Sequence, residues 1–333
     1  MGLAAMTLSP PLDLGAPERS LDVPTLVVAP LVDAAYAYVE RGCRAIDHRS
    51  GRDGLAALDA ATRAEVEAVI TSGIVGFSAA DMDLFPRLKV VASFSVGHEN
   101  IDLEAAAERG IPVTNAPATN GETVADHTIM LMLAAARALP EMDAAVRAGR
   151  WMDARKRYRP TLSGANVGIA GLGAIGGAIA SRAAAFGTTI RYTGRTARAE
   201  SPYDFVPDLL SLAEVSDFLV MAVPGGPATR HMVSAAVLDA LGPSGVLVNI
   251  GRGSVVDSAA LAVALGEGRI AAAGLDVVDG EPEVPDVLLG APNLVMTPHM
   301  AGRSPMGLRL QCERALGSIA AATEGTPLTY RVG

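Results

Sequence analysis

Three polar side chains stand just past apolar, β-rich runs in the second half of the chain. Arg252 follows Val246–Ile250, Glu281 follows Leu275–Val278 and precedes Pro282, and His299 follows Val295–Pro298. Arginine presents a planar fork that holds a carboxylate through paired hydrogen bonds. Histidine exchanges a proton near neutral pH, and a carboxylate beside it favours the charged imidazolium. Together they suit reduction of a 2-oxo acid: the carboxylate is clamped, the carbonyl carbon receives hydride and the oxygen a proton. Singly, each has an ordinary reading as a solvated loop arginine, a turn glutamate or a satisfied structural histidine. What joins them is their placement at strand carboxyl ends, which line the ligand crevice of an open α/β sheet.

A second pattern supplies a partner for that chemistry. Val167-Gly-Ile-Ala-Gly171-Leu172-Gly173-Ala174-Ile175-Gly176 is a GxGxxG that follows a strand and opens a helix. Gly171 suits a tight turn, Gly173 a close approach of pyrophosphate to the backbone, and Gly176 close packing of helix on strand. The helix N-terminus adds N–H groups and the positive end of its dipole. An NAD-specific site places an Asp or Glu at the end of the next strand, for the ribose 2′-hydroxyl. Here the run is Tyr192-Thr-Gly194-Arg195-Thr196-Ala-Arg198. The acid is missing and guanidinium groups, which suit a 2′-phosphate, take its place. The reading is NADP(H) preferred, with NAD(H) possible.

The elements that must hold these groups follow from the patterning. A length of 333 residues suggests about two domains. Half of the residues are hydrophobic and 19% are charged, which excludes a mostly disordered chain. With six Phe, six Tyr and one Trp, the core must be aliphatic. Strands are expected at 25–29, 43–47, 66–71, 88–95 and 111–114, with helices at 32–41 and 102–109 between them. Helices at 122–137 and 140–148 follow. The rhythm restarts with strands at 166–170, 189–193, 218–223, 245–250, 272–277 and 294–297 and a helix at 174–186. Such alternation implies parallel sheets with crossover helices, hence an α/β chain of two doubly wound domains. Residues 1–23 read as a loose tail, 24–116 plus 302–333 as the substrate-binding domain and 117–301 as the dinucleotide-binding domain. The last helix, 307–323, has no strand expected after it.

The formal charge of −9 gives no overall attraction for nucleic acid or an anionic membrane. Cys43 and Cys312 form no ligand or disulfide pattern, which fits a reducing cytoplasm. No metal site is expected. The N-terminus lacks a signal-peptide pattern, and the apolar run 128–139 is shorter than the ~20 residues a membrane span needs.

The order and spacing of Gly171–Gly176, Val248–Asp257, Ala273–Val278 with Glu281-Pro282, and Thr297–Gly302 resemble the D-isomer-specific 2-hydroxyacid dehydrogenases, over roughly Thr25 to the C-terminus. The resemblance implies a Rossmann cofactor domain inserted into a flavodoxin-like substrate domain. It implies that Arg252 binds the substrate carboxylate, that His299 is the general acid/base and that Glu281 is its partner. Backbone N–H groups of Ser95, Val96 and Gly97 would hold the same carboxylate. Further cofactor contacts are implied at Val223, Pro224, Thr229, Ile250, Gly251, Arg252, Asp276, His299, Gly302 and Thr123. The 122–137 helix resembles the family's hinge and dimer-forming segment, so a homodimer is expected. Within the family, Ser93–Asp102 and Tyr192–Thr196 look most like NADPH-dependent glyoxylate/hydroxypyruvate reductases. Glu281 argues against formate dehydrogenases, which carry glutamine there, and Val96 against phosphite dehydrogenase, which uses lysine. The expected activity is reduction of a small 2-oxo acid to the D-2-hydroxy acid in a cleft between the domains. Alternatives are a reductase of larger acids such as 2-ketogluconate or phenylpyruvate, and a dinucleotide-sensing binding protein with little turnover. His98 and His127 read as a loop and a structural residue, and Trp151 as either core or interface.

Overall fold

A computed structural model describes residues 12–155 and 158–333. The chain divides into two compact units. One runs to Asn120 and resumes over Arg303–Gly333, and the other is Gly121–Gly302.

The first unit is built on β1 (Leu21–Val27), β2 (Cys43–Asp47), β3 (Ala68–Thr71), β4 (Val90–Ser93) and β5 (Val113–Thr114), joined by β13 (Arg331–Val332). Their order is β13-β5-β4-β3-β1-β2, parallel except for β13, which runs antiparallel to β5. Successive strand residues face opposite sides of a sheet. Accordingly Val27, Ile70 and Ala92 enter one buried cluster, with Tyr38 and Ile319, while Leu26, Val69 and Val91 enter the other, with Phe77 and Phe85. Both faces are covered, which is why the strands read as unbroken apolar runs.

The second unit contains β6 (Asn166–Ala170), β7 (Thr189–Thr193), β8 (Asp204–Phe205), β9 (Phe218–Met221), β10 (Val246–Asn249), β11 (Ala272–Leu275) and β12 (Leu294–Met296). Their order is β12-β11-β10-β9-β6-β7-β8, with every pairing parallel. The chain winds outward from β6 in one direction, then returns to β9 and winds the other way. The loops after β6 and β9 therefore diverge, and the switch point between them is where such sheets bind ligands. The Gly121–Arg137 helix lies close over β11 because Gly274 has no side chain: a Cβ there would sit 3.2 Å from the Leu131 Cβ.

Several bounds differ from the sequence expectation. The last helix, Pro305–Glu324, is followed by a strand after all, since β13 pairs with β5. Two residues carry no readable period, so only their pairing identifies them. β1 begins at Leu21, before Pro24, because a register shift between Leu21 and Pro24 accommodates the missing N–H. Leu14 is buried in the first unit's core, within the stretch expected to be loose; residues 1–11 of that stretch lie outside the described residues. The short edge strand β8 was not anticipated.

Candidate active site

The glycine motif is the turn from β6 into the Ala174–Ala184 helix. Gly171 has φ +93°, a conformation that favours glycine, and a Cβ there would lie 2.7 Å from the Ala222 carbonyl oxygen. Gly176 is buried against the turn itself, with a Cβ only 2.0 Å from the Gly171 oxygen. Gly173 differs: a Cβ would meet no heavy atom within 4 Å, so its missing side chain leaves open space beside the backbone. Gly173 is also the helix N-cap, with no side-chain cap and no acidic residue in the first turn. Leu172 and Ile175 turn their side chains inward, while Ala174 is exposed. This is a cradle that fits a dinucleotide pyrophosphate.

β7 ends at Thr193, and Gly194, Arg195, Thr196 and Arg198 follow on an exposed loop. The hydroxyl of fully buried Tyr192 accepts a 2.7 Å hydrogen bond from the Arg198 backbone N–H and so anchors that loop. At the end of β9, Val223 is half-buried and Pro224 exposed, and the Thr229 hydroxyl donates to the Pro224 carbonyl at 2.8 Å.

Arg252 occupies the turn after β10, whose neighbours Ile250, Gly251 and Gly253 are buried. A Cβ on Gly251 would lie 2.5 Å from the Val223 oxygen, and one on Gly253 would lie 1.9 Å from the Val278 carbonyl carbon. The turn is thus wedged between the end of β9 and the segment leading to Glu281. Gly225 backs the Arg252 stem, 2.9 Å from its Cγ if a Cβ were added. Asn249, fully buried, locks the turn: Oδ1 accepts from the Gly251 N–H at 3.1 Å and Nδ2 donates to the Arg252 carbonyl at 3.0 Å. Sequence reasoning did not select Asn249; its signal is a polar residue ending an otherwise apolar strand.

His299 follows β12, and its Nδ1 is 2.6 Å from Glu281 Oε1. Its φ of +53° is unusual for a residue with a side chain. The conformation is held by the His299 N–H, which donates to the Asp276 carbonyl at 2.8 Å and the Thr297 carbonyl at 3.0 Å. The Asp276 carboxylate points inward. It accepts from the Thr297 hydroxyl at 2.6 Å, the Met300 N–H at 2.8 Å and the Ala301 N–H at 2.9 Å, and lies 3.4 Å from His127 Nε2. Burial pushes its pKa up, but the bonds from His127, Thr297 and the two amides outweigh that and hold it below the ordinary carboxylate value. Arg252, Glu281 and His299 therefore follow three neighbouring strands, β10, β11 and β12, with Glu281 and His299 in direct contact. Gly302 and Thr123, both half-buried, stand respectively just after this loop and in the first turn of the Gly121–Arg137 helix.

In the first unit, the Ser95–Gly97 loop follows β4. Its carbonyls are occupied: Ser95 by the Ala116 N–H, Val96 by Asn115 Nδ2, and Gly97 by the Ser93 and Ser95 hydroxyls. The Val96 and Gly97 amides have no protein acceptor among the described residues. His98 is half-buried, and its Nδ1 has no hydrogen-bond partner among the described residues. Trp151 is 58% exposed, so it is no part of this chain's own core. Among the described residues there is no cluster that could hold a metal and no helix long and apolar enough to cross a membrane.

Residues 129–301 match the family described as D-isomer specific 2-hydroxyacid dehydrogenase, NAD binding domain. The chain is 42% identical over 263 residues to a hydroxyphenylpyruvate reductase of Plectranthus scutellarioides, covering 79% of this chain and 84% of that protein. It is 42% identical over 266 residues to a glyoxylate/hydroxypyruvate reductase of Arabidopsis thaliana, covering 80% and 85%. Among solved structures it resembles the NADPH-dependent glyoxylate/hydroxypyruvate reductase of Sinorhizobium meliloti in complex with NADP and malonate, with a TM-score of 0.80, 38% identity, and 94% and 97% of the two chains covered. The glycine cradle, the strand-end residues and these likenesses agree: the chain belongs to the D-isomer-specific 2-hydroxyacid dehydrogenase family and is an NAD(P)-dependent oxidoreductase.

Proposed function

We propose that the protein reduces small 2-oxo acids, glyoxylate and hydroxypyruvate foremost, to D-2-hydroxy acids with NADPH. The observation that carries this reading is the 2.6 Å His299–Glu281 pair one strand from Arg252, in the unit that holds the glycine cradle. Arg252 grips the substrate carboxylate through its guanidinium fork. Glu281 holds Nδ1 of His299, which aims Nε2 at the substrate and leaves it to give its proton to the carbonyl oxygen. When bound beside these residues, a dihydronicotinamide would supply the hydride. Gly171–Gly176 and the backbone around Val223, Thr229 and Gly251 would hold the dinucleotide, with Arg195, Thr196 and Arg198 around a 2′-phosphate.

Supporting NADPH are the missing acid after β7, the exposed arginines, and the NADP-bound Sinorhizobium relative. Residues Met130, Leu133, Leu139, Val146, Trp151 and Met152 expose apolar surface along consecutive helices, which supports a homodimer through that region. The unpaired, buried thiols of Cys43 and Cys312 support a cytoplasmic location.

The test is one kinetic panel: glyoxylate, hydroxypyruvate, pyruvate, hydroxyphenylpyruvate and 2-ketogluconate, each with NADPH and NADH. Equal or better efficiency with NADH refutes the cofactor assignment. A clear preference for hydroxyphenylpyruvate, the substrate named for the Plectranthus relative, moves the reading to larger acids. Absence of turnover on every acid leaves the dinucleotide-sensing alternative.

A further inference from the structure

We propose that His127 is a positioning residue for His299, acting through Thr297 and Asp276. The inference rests on the reading of His299 as proton donor and adds a role to a residue that looked merely structural. Leu131, which lies over Gly274, and His127 are four residues apart on one helix and so share a face. That spacing carries His127 along to Asp276, just past the end of β11.

The hydrogen bonds there run in a defined direction. The Thr297 hydroxyl gives its single proton to Asp276 Oδ1 at 2.6 Å. Its oxygen can then only accept from His127 Nε2, 2.9 Å away, so Nε2 carries a proton. The same N–H faces Asp276 Oδ1 at 3.4 Å. Asp276 in turn receives the Met300 and Ala301 amides, and its carbonyl receives the His299 amide. Residues on both sides of His299 are thereby tied to one carboxylate, whose side chain is 1% exposed.

A left-handed conformation at a histidine persists only where its surroundings over-determine it. Removing the His127 donor leaves the Thr297 oxygen unbonded on that side and the buried carboxylate short of a partner. The loop then relaxes, and His299 with it. A shift on the order of 1 Å at a reacting group costs up to about 100-fold in rate.

The experiment uses the full-length enzyme and compares His127→Ala, His127→Gln, Thr297→Val, the Ala/Val double variant and His299→Gln. We expect His127→Ala to lower kcat by about 10- to 100-fold, with the Kd for NADPH, read by fluorescence, within about twofold of the parent. Glutamine places an N–H near the position of Nε2–H and should restore most of the loss. Thr297→Val should fall by a similar factor, and the double variant no further than the worse single one, because the groups act as a unit. Should the alanine variant not fold, His127→Asn, whose donor falls short of Thr297, carries the same expectation. The proposal is overturned if kcat stays within about twofold of the parent, if the losses add, or if NADPH binding falls as much as turnover. An inactive His299→Gln beside a fully active His127→Ala would sink this inference alone. Parent-like turnover in His299→Gln would sink the proton-donor reading, and this one with it.

Discussion

Alanine at Gly173 and at Gly176 should separate two tasks that the glycine motif combines. At Gly173 a Cβ meets no heavy atom within 4 Å, and φ is −74°, open to any L residue. Gly173→Ala should therefore keep the fold and gain about 0.4–1 kcal/mol by restricting the unfolded chain. The methyl would nevertheless fill the space through which a phosphate reaches the backbone. Losing one charge-assisted hydrogen bond costs about 1.5–3 kcal/mol, or roughly 10- to 100-fold in Kd. At Gly176 the Cβ would sit 2.0 Å from the Gly171 oxygen, whereas ordinary contact begins at 3.4 Å. The helix must retreat by about 1.4 Å, and overpacking of this kind costs about 1–3 kcal/mol. For a unit the size of Gly121–Gly302 that lowers Tm by roughly 2–12 °C. The assays are thermal unfolding and fluorescence titration with NADPH. Both variants should bind the cofactor poorly, but only Gly176→Ala should unfold early. Parent-like NADPH affinity in Gly173→Ala would refute the view that the open space at this backbone receives the dinucleotide.

Gly253→Ala would drive a methyl into the Val278 carbonyl, so the Arg252 turn or the segment leading to Glu281 must move. The expected loss in kcat/KM is about 100-fold, checked by steady-state kinetics. The Met300 and Ala301 amides address different oxygens of Asp276; Asp276→Asn turns one of those oxygens into an NH2 donor facing an N–H, and should cost about 1–3 kcal/mol at neutral pH. Because the folded carboxyl titrates below its unfolded value of about 3.9, its contribution is complete above that pH and fades as pH falls through the lower folded value. Unfolding curves of variant and parent should therefore converge under acid. Burial raises the Cys43 thiol to about 11 and the Cys312 thiol to about 12, so neither should react with a thiol reagent at pH 8 until the chain unfolds.

Much of the chemistry is legible in the sequence because its signals are local. A glycine triplet between a strand and a helix, or an arginine, a glutamate and a histidine just past apolar runs, needs only a few neighbouring residues to be recognised. The apolar runs themselves reveal strands covered on both faces, hence the parallel sheets. The two-residue strand β13 and the early start of β1 are not legible, since pairing alone distinguishes them from loop.

What only the tertiary structure decides is who touches whom. Asn249 closes the Arg252 turn, and Tyr192 reaches the Arg198 amide from inside the core. Asp276, which the sequence offers only as an implied cofactor contact, becomes the point to which His127, Thr297 and the His299 loop are tied. His127 and Thr297 are 170 residues apart, and strand order and the close approach at Gly274 bring them together. Periodicity and turn chemistry act over a handful of residues. Hydrogen-bond partners and the space beside a glycine depend on backbone segments that meet only when the sheet has formed.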